Sequence, residues 1–93
     1  MDHLKLFNEI IKIATPLNSN KAEATSLDQP LADTGLDSLD LLMVGIYLSE
    51  IFGVSEEIAK QMQPQTVGDM IAYMLEHKTK EPASVEEAIK SIQ

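Results

Sequence analysis

Ser38 to Phe52 reads SLDLLMVGIYLSEIF, and this stretch decides the fold. Its apolar residues recur at helical rather than alternating spacing. At about 100° per residue, Leu41, Val44, Leu48, Ile51 and Phe52 share one face, while Leu39, Leu42, Met43 and Ile46 share another. Asp40, Tyr47, Ser49 and Glu50 interrupt this apolar girdle. The ends are marked too. Asp37 is the N-cap, Asp40 is its reciprocal partner in a capping box, and Gly53 stops the helix at the C′ position. One apolar face suffices for the core of a small bundle, so the second needs another use. It covers a loop or a tail helix, or it is an exposed docking surface. Gly45, inside the helix, costs about 1 kcal/mol relative to alanine. Close approach of a loop or of another helix would compensate.

Working outward, Asp2 to Ala14 is a first helix, with Leu4, Phe7, Ile10, Ile11 and Ala14 in one stripe and Lys5, Glu9 and Lys12 opposite. Pro16 ends it. Asn18 to Leu36 is a long loop, rich in Asn, Ser, Asp and Pro; such a loop is often functional or holds a short helical turn. Ser55 caps a short third helix running to about Met62, with Glu56 and Glu57 in its first turn, where the helix dipole favours acids. After Pro64, Thr66 and Asp69 form a capping box for a fourth helix, Val67 to about Lys78, whose stripe is Val67, Met70, Ile71, Met74 and Leu75. Met62, Met70 and Met74 read as core, and His77 as a helix-end charge. After Pro82, Ser84 and Glu87 box a tail helix with Val85, Ala88, Ile89 and Ile92 on one face. No strand pattern competes, and the agreement of caps with periodicities predicts an all-α bundle.

Composition narrows the function. The chain has 93 residues, no cysteine and no arginine, and a net charge of −8. It is one domain with a modest core. No disulfide is possible, and two histidines without cysteine argue against a zinc site. Between Lys21 and Lys60 stand Glu23, Asp28, Asp33, Asp37, Asp40, Glu50, Glu56 and Glu57 with no lysine, so this segment carries the whole net charge. The acidic balance argues against nucleic acid and anionic membranes and favours partners with basic patches. Asp2 and Glu9 interrupt any leader-like start and no run is long enough to span a membrane, so a soluble, cytoplasmic monomer is expected. A calcium loop is excluded by spacing: counted from Asp33, the twelfth position is Val44 rather than glutamate.

Ser38 stands at the start of the central helix. It makes a poor nucleophile, because no Gly-x-Ser-x-Gly elbow surrounds it and Asp37 and Asp40 would oppose an alkoxide. Taken alone, a serine at such a position reads as a helix cap. As a site of modification it is better placed, since unpaired N–H groups and the positive end of the dipole favour a phosphate there. The run Asp33-Thr-Gly-Leu-Asp-Ser-Leu-Asp40 resembles the attachment motif of acyl carrier proteins. Phe52-Gly53-Val54, Glu56-Glu57 and Thr66-Val67-Gly68-Asp69-Met70-Ile71 resemble that family's later landmarks at its usual intervals. The resemblance covers about residues 2 to 78.

The resemblance implies a four-helix bundle with a long first loop and a short third helix. Residues 1–79 would be the carrier domain and 80–93 an added helical tail, packed on the bundle, docking or self-associating. It implies 4′-phosphopantetheine on Ser38, transferred from coenzyme A by a phosphopantetheinyl transferase with magnesium that Asp37 helps to place. The chain would bind no metal of its own and catalyse nothing. It would carry acyl or aminoacyl thioesters between a loading ligase and ketosynthase, condensation or acyltransferase enzymes. The cofactor would supply the thiol that this cysteine-free chain lacks. Met43 and Ser49 stand where fatty-acid-synthesis carriers typically have glutamate, while Glu50 remains. That departure favours a dedicated polyketide, nonribosomal-peptide or specialised lipid pathway. Leu39, Leu42, Met43 and Ile46 would select partners, and Glu50, Glu56 and Glu57 would steer them. The alternative is a helical interaction module with no prosthetic group.

Overall fold

The computed structural model describes residues 2–15 and 22–92. The expected helix stop at Pro16 and the first part of the long loop lie outside the described residues. The elements are α1 (His3–Ala14), a 3₁₀ turn at Leu31–Asp33, α2 (Ser38–Phe52), α3 (Glu56–Lys60), α4 (Val67–His77) and α5 (Val85–Ile92). Among the described residues there is no strand, only an isolated antiparallel bridge between Pro30 and Thr66.

The central helix is α2, which α1, α3, α4 and α5 all touch. This explains most of its girdle. Val44, Leu48, Ile51 and Phe52 are buried as expected, and Leu41 is half-buried. Ser49, expected as an interruption, is buried, and Tyr47 is half-buried, because helices close on α2 from more than one side. The Ser49 hydroxyl donates to the Gly45 carbonyl at 2.7 Å, which satisfies it inside the core.

Local caps set the helix starts. Asp2 accepts from Lys5 N, and the Asp37–Asp40 and Thr66–Asp69 boxes are both reciprocal. At α5, Ser84 Oγ accepts from Glu87 N at 3.2 Å. On α1 the buried set is Leu6, Phe7, Ile10 and Ile11, so Leu6 joins the expected stripe while Leu4 and Ala14 are half-buried. The stripe is wider than predicted because α1 packs against both α2 and α5. The third helix is shorter than predicted. After Lys60 the chain tightens, with Gln61 N and Met62 N donating to Ile58 O and Ala59 O. Pro64 disfavours helical geometry in the residue before it, so the turn is not extended. Met70 and Met74 are core residues, whereas Met62 is half-buried.

The tail helix is part of the bundle. Ala88 is fully buried, and Val85, Ile89 and Ile92 pack against the core. The link before it clasps the end of α2: Thr79 N and Lys80 N donate to Phe52 O at 2.9 and 3.2 Å, and Thr79 Oγ1 donates to Gly53 O at 2.6 Å. Gly53 adopts φ +67°, the left-handed cap that glycine takes without strain. In the same link Lys78 Nζ donates to Glu81 Oε2 at 2.9 Å, and this bond and the ammonium charge hold the Glu81 carboxyl below its usual range. Both groups are exposed to water, so the pair adds little stability.

The first loop is fixed rather than slack. Asn8 acts as a splint, its amide donating to Ala24 O at 2.9 Å and accepting from Ala24 N at 2.8 Å. Ala24, Leu31 and Leu36 enter the core. The loop also completes the start of α4, because Val67 N donates to Gln29 O and Gly68 N to Leu27 O at 2.7 Å. A Cβ on Gly68 would stand 2.8 Å from Leu27 O, a backbone atom that cannot swing aside. Gly68→Ala is therefore expected to lower stability by about 1–3 kcal/mol in urea denaturation, through the lost bond and the displaced loop. An unchanged midpoint would show that the contact can relax freely.

Candidate functional site at the start of helix α2

Ser38 is the first residue of α2 and is exposed. The chain is delivered to it by a short anchored turn. Thr34 is buried, with Oγ1 donating to Leu31 O at 2.6 Å and accepting from Leu36 N at 3.3 Å. Gly35 takes φ +88°, and Leu36 drops into the core. The flanking acids are engaged with backbone: Asp40 N donates to Asp37 Oδ1 at 2.8 Å, and Asp37 N to Asp40 Oδ2 at 3.3 Å. Asp37 therefore supplies the cap, and Ser38 does not. No hydrogen bond within the described residues holds the Ser38 hydroxyl. It sits at the positive end of the helix dipole, free to be substituted.

Beside it lies a cleft of about 840 Å³ between α2 and α3. Ser38, Leu41, Leu42, Gly45, Ile46, Ser49 and Glu50 form the α2 wall. Glu56, Ala59 and Lys60 of α3 form the other, and Leu31, Val54, Met62, Pro64 and Met70 complete the lining. Lys60 and Glu56 make a solvent-exposed pair at 3.3 Å on that wall. Tyr73 Oη on α4 donates to Ile58 O at 2.6 Å and so ties α3 to the bundle.

The other candidate residues divide around this cleft. Leu39, Leu42 and Ile46 are exposed by 65%, 58% and 46%, a contiguous apolar stripe on α2. Glu50 follows on the same side, and Glu56 and Glu57 stand exposed on α3. Met43 is half-buried, less available than its three neighbours. Leu42 and Ile46 serve both the stripe and the cleft, whereas Leu39, Met43 and Glu57 are outside the cleft lining. The cleft is absent from the sequence reading, because it depends on where α3 lies across α2. Its only signal was Gly45, whose open space is closed by Met62 of the α3–α4 connection. No group of three or more His, Asp or Glu side chains among the described residues is arranged to hold a metal ion. No helix among them is long and apolar enough to cross a membrane.

A helical bundle that presents an untethered serine at a helix start, beside an apolar cleft, has the form of a carrier of a covalent arm. The family described as the phosphopantetheine attachment site matches residues 5–74, and the chain belongs to it. No curated protein and no solved structure matches the chain. Members of this family carry covalently attached 4′-phosphopantetheine. The residues here fit that group: a free hydroxyl for the phosphodiester, a helix N-terminus for its charge, and open surface around it.

Proposed function

We propose that the chain is a carrier protein whose prosthetic arm is joined to Ser38 Oγ. The observation that carries this reading is the division of labour at the start of α2. Asp37 and Asp40 satisfy the backbone, which leaves the serine hydroxyl without structural duty. Asp37 would also help to place the magnesium ion of a separate transferase. Once attached, the arm supplies a thiol on which acyl or aminoacyl groups travel as thioesters, and the chain itself catalyses nothing. Its own residues orient, shield and present. Leu39, Leu42, Met43 and Ile46 select the enzymes that dock. Glu50, Glu56 and Glu57 attract their basic patches. Those enzymes are a loading ligase and ketosynthase, condensation or acyltransferase partners. The exposed apolar stripe, with half-buried Met43 in place of an acid, favours a dedicated polyketide, nonribosomal-peptide or specialised lipid pathway in the cytoplasm, while Ser49 is buried and does not belong to that stripe. Residues 1–79 form the carrier unit, and the tail helix is its permanent cover over α1 and α2.

Incubation with coenzyme A, magnesium and a broad-specificity phosphopantetheinyl transferase tests the reading. Intact mass should show one phosphopantetheine per chain, and fragmentation should place it on Ser38. An unmodified chain, beside a control carrier that is modified, would overturn the proposal. A helical interaction module would instead bind its partner unmodified, through Leu42 and Ile46.

A further inference from the structure

We infer that Gln29 is a positioning residue for the loading of Ser38: its side-chain amide holds the turn that delivers the serine, and so sets how well the unloaded chain fits a transferase. The inference rests on attachment at Ser38. Two limbs of the first loop run side by side just before α2. Glu23 N donates to Thr34 O at 3.0 Å, and a Cβ on Gly35 would stand 3.4 Å from Ala22 Cα. The first limb is tied to α1 through Asn8. Gln29 is half-buried and spans the two limbs. Its Oε1 accepts from Thr25 N at 2.6 Å, and its Nε2 donates to Asp33 O at 3.2 Å. One amide thus grips the anchored limb with its oxygen and the turn with its nitrogen.

The residue type matches this task. The amide meets an N–H on one side and, on the other, the carbonyls of Asp33 and, at 3.5 Å, Glu23. A primary amide carries both an acceptor and a donor, so one orientation of glutamine serves both limbs. Glutamate could accept from Thr25 N but could not donate to Asp33 O, and methionine of similar length could do neither. The base of the side chain is fixed as well, because Gln29 O accepts from Val67 N of α4 at 3.0 Å. The grip therefore comes from the bundle, whereas the Thr34 hydroxyl bonds lie within the turn itself. Asp33 stands five residues before Ser38, and Asp33, Gly35, Asp37 and Ser38 are all exposed. A transferase that takes hold of Ser38 must also meet this turn. A turn released from Gln29 has to be ordered again on docking, and that cost weakens binding without altering the transfer once docked.

The test measures initial rates of phosphopantetheine transfer to the full chain by intact mass, with magnesium, saturating coenzyme A and the broad-specificity transferase. Gln29→Met and Gln29→Glu should each raise KM for the carrier about three- to tenfold, the worth of one such hydrogen bond, with kcat within about twofold of the wild type. The added charge of glutamate favours a basic enzyme, so a raised KM in that variant comes from the lost donor. Ser84→Ala is the control for general loosening. It removes the cap of α5, which follows the Phe52 end of α2, the end remote from Ser38. It should lower the melting temperature while KM stays at the wild-type value. Circular dichroism checks that each variant is folded, and if Gln29→Met unfolds, Gln29→Glu decides alone. A wild-type KM in Gln29→Glu, a loss confined to kcat, or an equal rise of KM in Ser84→Ala would overturn the inference and leave attachment at Ser38 standing. A wild-type chain that takes no adduct would overturn both.

Discussion

Ser38→Ala is expected to abolish phosphopantetheine loading while leaving the bundle intact. The two halves of this result have separate causes. Loading fails because the hydroxyl is the atom that must bond to phosphorus, and alanine has none. Folding survives because Ser38 is exposed and its hydroxyl holds nothing within the described residues. The cap belongs to Asp37, whose carboxylate receives Asp40 N. Alanine is also the best helix former, so stability should move by no more than about 0.5 kcal/mol. Intact mass after transferase treatment reads the first half, and a thermal melt reads the second. An adduct persisting on the alanine variant would move the site elsewhere. A large fall in melting temperature would show that Ser38 is structural. Asp37→Ala makes the contrast, since it removes a cap worth about 1 kcal/mol.

The largest effect on stability is expected at the other end of the same helix. Phe52 is fully buried, and its replacement by alanine should cost about 3–5 kcal/mol. The cavity cannot easily collapse, because the surrounding backbone is pinned. Thr79 N and Lys80 N still donate to the carbonyl of residue 52, and Gly53 still makes its left-handed turn. A small domain holds only about 5–15 kcal/mol in all. At about 4–8 °C per kcal/mol for a chain of this size, the melting temperature should fall by more than about 12 °C. Leu42→Ala is the internal control, because Leu42 is 58% exposed and its loss should cost almost nothing. Comparable losses at both positions would contradict the buried and exposed faces described for α2.

The sequence made legible whatever is decided by neighbours three or four positions apart. The Asp37–Asp40 and Thr66–Asp69 boxes are of this kind, as are the glycine stop at Gly53 and the tail start at Ser84. Helix number, order and approximate ends follow from them. What depends on distant residues was not legible. Leu6, Tyr47 and Ser49 change character because of the helices that surround α1 and α2, and no local pattern in those segments announces them. Asn8 reads as one more polar residue until Ala24 is placed beside it. At the site, Ser38 and its acids could be read from the motif. The cleft could not, since its walls come from α2, α3 and the chain on either side of α3. Gly45 was visible as an anomaly, but that only the tip of Met62 faces it depends on the path of the chain after α3.

The hydrogen bonds from Val67 N and Gly68 N to the first loop carry a kinetic consequence. An isolated helix exposes its first amides to water, but here they are satisfied by a segment on the order of 40 residues earlier in the chain. Closing so large a loop costs entropy before any contact repays it. The first turn of α4 therefore consolidates late, after α1 and α2 have set the loop's path. Substitutions at the junction of Leu27 with Gly68 should speed unfolding and leave the refolding rate nearly unchanged. The same junction that joins the first loop to α4 is thus expected to be among the first to open when the native protein unfolds.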